Sequence, residues 1–132
     1  MNKPVKSAIF ALSMALSHPS IAGDIPNLVG VWVGENKTYS EPKGYQSWTK
    51  TIEITEQKER IFKGHFTFSG GNKHFFGVIY PDNSTFSWVG EDSKGYNHGH
   101  FYNADHISAC YLEAGADATA GCADLTKQKP KP

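Results

Sequence analysis

Residues 61–69 of this chain read IFKGHFTFS, and their alternation is the pattern that decides the fold. One set of alternate positions is apolar or small and consists of Phe62, Gly64, Phe66 and Phe68. The intervening positions are polar and consist of Lys63, His65, Thr67 and Ser69. Because successive side chains of a β-strand point to opposite sides, this stretch predicts an antiparallel strand with one face on a core and the other in water.

Similar runs, rich in Val, Ile, Thr, Tyr, Phe and Trp, recur about every ten to twelve residues between Gly, Pro, Asn and Asp. Helical periodicity is nearly absent after residue 22. In the second run Trp48, Ile52 and Ile54 share one face. The eight predicted strands are residues 28–33, 48–55, 61–69, 74–80, 85–89, 96–102, 106–112 and 119–126.

Short connections predict how these strands are arranged. All but the first are three to six residues long, which favours antiparallel neighbours joined by hairpins. A row of hairpins leaves two free edges unless it closes on itself. We therefore expect an all-β fold, an antiparallel up-and-down eight-stranded β-barrel, with an open sandwich as the alternative. Residues 34–47 are long enough for a flap.

The first residues have the layout of a secretory signal peptide. Lys3 and Lys6 precede an apolar run over residues 8–16, and Ser20-Ile21-Ala22 stands ahead of Gly23. The apolar run is too short to cross a bilayer, which takes about 20 residues. We expect residues 1–22 to be removed and residues 23–132 to form a single domain, with residues 127–132 as a frayed tail, in the periplasm or outside the cell.

Charge excludes two classes of partner. The full chain has 13 basic and 13 acidic residues, and loss of Lys3 and Lys6 leaves eleven basic residues against the same 13 acidic ones. Proteins that bind nucleic acid carry a basic stripe, which this composition does not provide. No polybasic stretch is present for anionic lipid. We expect neither a nucleic-acid partner nor, once the chain is processed, a membrane.

The chain has two cysteines, Cys110 and Cys122. An exported protein with an even number of cysteines is expected to form disulfides. If the chain reverses at Ala116, the two cysteines face each other across a hairpin. A disulfide there would contribute about 3 kcal/mol. A redox pair or metal ligands are the alternatives, although the chain has no Cys-x-x-Cys.

Gly30-Val31-Trp32 on the first predicted strand and Lys127 just after the last resemble the calycin arrangement of lipocalins and avidin-type proteins. The resemblance implies a barrel whose floor is closed by Trp32 with Lys127 stacked on it, and a ligand in the barrel mouth. Avidin-type chains have Asn where this chain has Gly34, so biotin is not implied. The chain also resembles small periplasmic inhibitors of proteases or lysozymes, which pair a short barrel with one disulfide.

The segment YNHGHFY over residues 96–102 is the most unusual one for chemistry. Its alternate positions place Tyr96, His98, His100 and Tyr102 on one face. A face of this kind suits a pocket for a flat molecule if it points inward, and a protein contact if it points outward. His98 and His100 are also candidates for a metal site, because paired imidazoles on a strand bind divalent metals.

Catalysis is not expected. The chain has no nucleophile elbow, its cysteines are expected to be oxidised, and carboxylates such as Glu91, Asp92 and Asp105 fall in turns. We expect no cofactor. The sequence predicts a binding module that holds a small apolar or aromatic ligand in the barrel mouth. The alternative is an inhibitor or adaptor that binds another exported protein through its loops. The candidate ligand residues are Trp32, Trp48, Trp88, Tyr96, His98, His100 and Tyr102.

Overall fold

The computed structural model describes residues 23–132, so the predicted signal peptide lies outside the described residues. These residues form eight strands, and each pairs antiparallel with the next until β8 returns to β1 and closes a barrel. The strands are β1 (Gly30–Ser40), β2 (Gly44–Lys58), β3 (Ile61–Phe68), β4 (Gly71–Ile79), β5 (Thr85–Gly90), β6 (Tyr96–Asn103), β7 (His106–Glu113) and β8 (Thr119–Lys127). The predicted all-β, up-and-down eight-stranded barrel is confirmed. Within the same residues, no helix is long and apolar enough to span a bilayer.

The predicted flap over residues 34–47 is wrong. β1 continues to Ser40 and β2 starts at Gly44, so only a short turn separates them. Gly44 has a φ of 65°, a conformation that favours glycine in a tight turn. The inward positions of this part of β1 carry polar side chains, and this part of the strand lies at the open, solvated end of the barrel. Hydrogen bonding to β2 and β8, rather than apolar alternation, makes it a strand.

β2 is longer than its neighbour β3. Residues 44–51 of β2 pair with β1, whereas pairing with β3 begins only at Ile52 opposite Phe66. Within residues 23–132, this first half of β2 therefore has no strand on its second side. Over this part of β2 the described sheet ends in a free strand edge.

The core fills the closed half of the barrel. The apolar positions of the alternating strands point inward, as Phe62 and Gly64 do in β3. The buried apolar side chains are Leu28, Trp32, Ile52, Ile54, Phe62, Phe75, Ile79, Phe86, Trp88, Ile107, Ala109, Ala123 and Leu125. Each large side chain of this kind contributes about 1.5–3 kcal/mol when it is fully buried. Together they make this half of the barrel a packed interior.

Trp32 closes this end. Its indole Nε1 donates a hydrogen bond to the Leu28 carbonyl at 2.8 Å, and Lys127 Nζ lies 5.2 Å from the centre of its ring. Lys127 Nζ also donates to the Asn27 carbonyl at 3.0 Å. The stacking implied by the resemblance is present. Lys127 ends β8, and Gln128 N donates to the Val31 carbonyl, so these two residues belong to the barrel rather than to the predicted frayed tail.

The disulfide between Cys110 and Cys122 is confirmed. It joins directly opposite residues of β7 and β8, with their Cα atoms 3.9 Å apart. Leu112 likewise faces Ala120, as expected for the predicted hairpin. Both cysteines lie on the outer side of the wall, so the bond fastens the last two strands without entering the core.

Candidate functional site

A cavity of about 400 Å³ opens at the end of the barrel opposite Trp32. Its floor is apolar and consists of Ile52, Phe75 and Trp88, all of which belong to the core. Phe66 stands above them on β3 and is partly exposed. The inward positions near the mouth carry smaller or polar side chains, whereas those of the closed half carry large apolar ones. The cavity is the space left by this difference. This volume is typical of a pocket for a small molecule.

Trp88 is held rigidly in the floor. Its indole stacks on the Phe86 ring at 5.5 Å between centroids and 6° between planes, and on the Phe75 ring at 5.1 Å and 26°. Only 4% of its surface is exposed. A flat ligand in the cavity would therefore meet a preformed aromatic surface rather than a mobile side chain.

Three polar side chains lie beside or above this floor on the inner face of the barrel. Lys50 is half-buried on the inner face of β2, and burial lowers the pKa of its ammonium group to about 8. Asn97 Oδ1 and Asn36 Nδ2 are buried and have no hydrogen-bond partner among the described residues. Asn97 lines the cavity itself, and Asn36 lines the adjoining depression that Lys50 also reaches. These groups are placed to bind a polar part of a ligand.

The rim is braced by a small hydrogen-bond network. Tyr111 donates its hydroxyl hydrogen to Glu113, and its oxygen lies 2.9 Å from Ser93 Oγ in the β5–β6 loop. Burial, followed by the nearby Glu113 carboxylate, raises the pKa of Tyr111. Glu91 accepts a hydrogen bond from the His74 backbone N–H at 3.0 Å. The contact between Ser93 and Tyr111 connects the β5–β6 loop to β7. The hydrogen bond between Glu91 and His74 connects the same loop to β4.

The three candidate tryptophans lie at different heights in the barrel. Trp88 forms part of the cavity floor. Trp48 faces the depression beside the cavity at the free part of β2 and is 45% exposed. Trp32 is fully buried at the closed end and does not line the cavity. Of these three, only Trp88 is placed to touch a ligand in the cavity.

The sequence left open whether the Tyr/His face of residues 96–102 points into the barrel or outward. In the structure it points outward, so the outer wall carries Tyr96, His98, His100 and Tyr102. Ser87 Oγ lies 3.0 Å from His98 Nδ1 and accepts a hydrogen bond from the Tyr80 hydroxyl at 3.1 Å. The Tyr102 ring lies 4.6 Å from that of His106. His98, His100 and Tyr102 contact other side chains of the outer surface, and none of the four lines the cavity.

The described residues supply no complete ligand set for the metal alternative. No group of three or more His, Cys, Asp or Glu side chains in residues 23–132 is arranged to hold a metal ion. The nearby His106 on β7 lies 2.7 Å from Asp124 Oδ1.

Sequence reasoning missed Lys50, Asn97 and Asn36. The signal for Lys50 was available, because it shares a face with Trp48 and Ile52 in an alternating strand, and a lysine at an inward position is unusual. Asn97 likewise shares the face of Gly99. No such signal marked Asn36, because residues 34–47 were not predicted to form a strand.

Comparison with known proteins adds the fold alone. No protein-family model and no curated protein matches the chain. Among solved structures, the chain is similar to a redesigned β-barrel. The sequence identity is 12%, the TM-score is 0.50, and the match covers 77% of this chain and 92% of the other. The likeness supports a small closed barrel and identifies no calycin family.

Proposed function

We propose that this protein is an exported binding module that holds a small ligand with a flat apolar part in its barrel mouth. The observation that carries the proposal is the cavity of about 400 Å³ over the floor of Ile52, Phe75 and Trp88. Ligand pockets are usually concave, largely apolar and preformed, with a few polar groups that orient the ligand. We further propose that it binds without catalysing a reaction.

The closed end of the barrel supports this proposal. Trp32, with Lys127 stacked on its ring, seals the end away from the cavity, so a ligand would enter and leave only at the mouth. Stacking of a cation on an indole contributes about 0.5–2 kcal/mol. The same arrangement supports a relationship to calycins, which we propose on architecture alone.

Export is the second part of the proposal. The Cys110–Cys122 disulfide is of the kind that proteins keep in oxidising compartments. The predicted signal peptide over residues 1–22 would deliver the chain there. N-terminal sequencing of protein recovered from the periplasm or culture fluid should start at Gly23. A chain that still starts at Met1 would contradict export by cleavage.

Titration of tryptophan fluorescence tests ligand binding. A variant with Trp32→Phe and Trp48→Phe keeps Trp88 as its single tryptophan, and a panel of small aromatic compounds should quench it saturably. Phe66→Ala should weaken binding about tenfold, since it removes an apolar wall beside the floor. The matched control is Phe76→Ala, because Phe76 is 59% exposed on the outer wall. Absence of saturable quenching across the panel would contradict the proposal.

A second candidate function is favoured by the free edge of β2. Residues 44–51 have no strand on their second side, and exposed Tyr45 and Trp48 flank this edge. An extended segment of another exported protein would add a strand here, with main-chain hydrogen bonds giving affinity. This is the inhibitor or adaptor predicted as the alternative, with the edge of β2 taking the place of the loops as the binding element.

Hydrogen exchange separates this candidate from the first. A purified exported partner should slow amide exchange mainly in residues 44–51, and Phe66→Ala should leave its affinity unchanged. Protection elsewhere in the barrel would contradict strand addition at this edge.

A further inference from the structure

Lys50 occupies an unusual position for a lysine. It lies two residues before Ile52 on the same inward face of β2, and Ile52 is part of the cavity floor. Lys50 itself lines both the cavity and the adjoining depression. Its ammonium group is therefore close to the apolar floor instead of in bulk water.

No carboxylate among residues 23–132 pairs with Lys50. The ion pairs within residues 23–132 all involve other side chains, and Lys50 is in none of them. Burial lowers the pKa of Lys50 to about 8, so the group still carries its charge near neutral pH. A half-buried charge without a partner costs free energy that an anion in the cavity would offset.

The acidic groups around the mouth are engaged elsewhere or lie at the rim. Glu113 accepts the hydroxyl hydrogen of Tyr111, and Glu91 accepts the backbone N–H of His74. Asp92 and Asp117 are exposed in the loops. Lys73, the other half-buried lysine of the cavity, has its ammonium 5.6 Å from the centre of the Phe68 ring. Two half-buried lysines therefore line the cavity, while its carboxylates are hydrogen-bonded to other groups or exposed.

A second observation points to the same ligand group. Asn36 Nδ2 is a buried hydrogen-bond donor that has no partner in the described part of the chain, and its residue lines the depression that Lys50 lines. Asn97 Oδ1, on another strand of the cavity wall, is an acceptor for which residues 23–132 supply no donor. Buried polar atoms without partners are rare in native structures, and ligand binding is one way to satisfy them.

From this arrangement we propose that the mouth selects a flat aromatic carboxylate, whose ring lies on the Trp88 floor and whose carboxylate pairs with Lys50 and Asn36. This inference rests on the proposed function, since it names the ligand class of the same cavity. A carboxylate would supply the negative partner for the Lys50 ammonium group, and its oxygens would accept hydrogen bonds from the Asn36 amide. Asn97 would bind a donor group elsewhere on the ligand.

A matched pair of probes tests the proposal. 2-Naphthoate and its neutral amide, 2-naphthamide, have the same ring system and differ in the charge of the head group. The wild-type protein should bind 2-naphthoate about 10- to 100-fold more tightly, as expected for hydrogen bonds to a charged group. Lys50→Met should abolish this preference, because the affinity for 2-naphthoate should fall to about that of the same variant for 2-naphthamide. Lys50→Arg should retain the preference because it keeps the cation.

The control is Lys58→Met, which makes the same change on the same strand, where the side chain is exposed and far from the mouth. It should leave the preference intact. Equal affinity of the wild-type protein for both probes, or a preference that survives Lys50→Met, would overturn the proposal while leaving ligand binding in place. If neither probe binds and no other aromatic compound quenches Trp88, the proposed function fails as well.

Discussion

The Phe86 ring lies directly over the backbone of Gly99, its partner across β5 and β6, and occupies the space that a Cβ at that position would need. The same relationship joins Phe62 to Gly77 and Phe75 to Gly64, each pair directly opposite across neighbouring strands. Large rings and missing side chains therefore alternate around the wall. This pairing lets a narrow barrel hold several aromatic side chains in its core.

Gly99→Ala should destabilise the barrel, because the new methyl group would collide with the Phe86 ring and with the Ser108 carbonyl. We expect a loss of about 1–3 kcal/mol in the free energy of unfolding, as is typical of overpacked cores. Denaturant unfolding measures it. Gly90→Ala is the control, since a Cβ there would meet Ser93 Cβ at 3.4 Å, an ordinary contact. Equal effects of the two substitutions would contradict the ring-over-glycine account.

Lys127→Met should lower the free energy of unfolding by about 0.5–2 kcal/mol, because it removes the cation from the Trp32 ring. It also removes the hydrogen bond to the Asn27 carbonyl. Thermal or denaturant unfolding gives the difference. Lys129→Met, two residues further along and exposed, should have little effect. A Lys127→Met variant as stable as the wild type would mean that the stacked lysine does not stabilise the closed end.

Replacing both cysteines with alanine should cost about 3 kcal/mol, since the disulfide closes a short loop between β7 and β8. Far-ultraviolet circular dichroism should still report a β protein, because the bond lies outside the core. Reduced wild-type protein provides the comparison and should unfold at a similar denaturant concentration. If the oxidised and reduced proteins unfold together, the hairpin does not depend on the bond.

Because Lys50 is half-buried, the free energy of unfolding should rise with pH. Burial lowers its pKa in the folded protein to about 8 from 10.5, so between these values the unfolded chain binds more protons than the folded one. The cost of the buried charge is full below pH 8 and disappears as pH rises to 10.5. Lys50→Met should therefore be more stable than the wild type near neutral pH, with the difference shrinking across this window.

Lys58→Met removes a lysine from the same strand and corrects for the titration of exposed lysines. A constant stability difference between wild type and Lys50→Met across the same pH range would show that the lysine is solvated. Together with the probe experiment, this measurement separates a binding role of Lys50 from a purely structural one.

Much of the architecture was predictable from local pattern. Alternation in residues 61–69, short connections and the spacing of Cys110 and Cys122 led to eight hairpin-linked strands with a disulfide across the last pair. The flap was mispredicted because β1 beyond Gly34 carries polar residues on both faces. Such a segment becomes a strand only when β2 and β8 offer hydrogen bonds on its two sides.

The sequence by itself determined which side chains share a face, because alternation along a strand is a local property of the extended backbone. Only the tertiary structure decided which face points inward for residues 96–102, since both faces contain aromatic side chains. Closure of the barrel likewise brought Lys50, Asn97 and Trp88 around one cavity. These residues lie on three different strands, and no spacing along the chain encodes their distance in space.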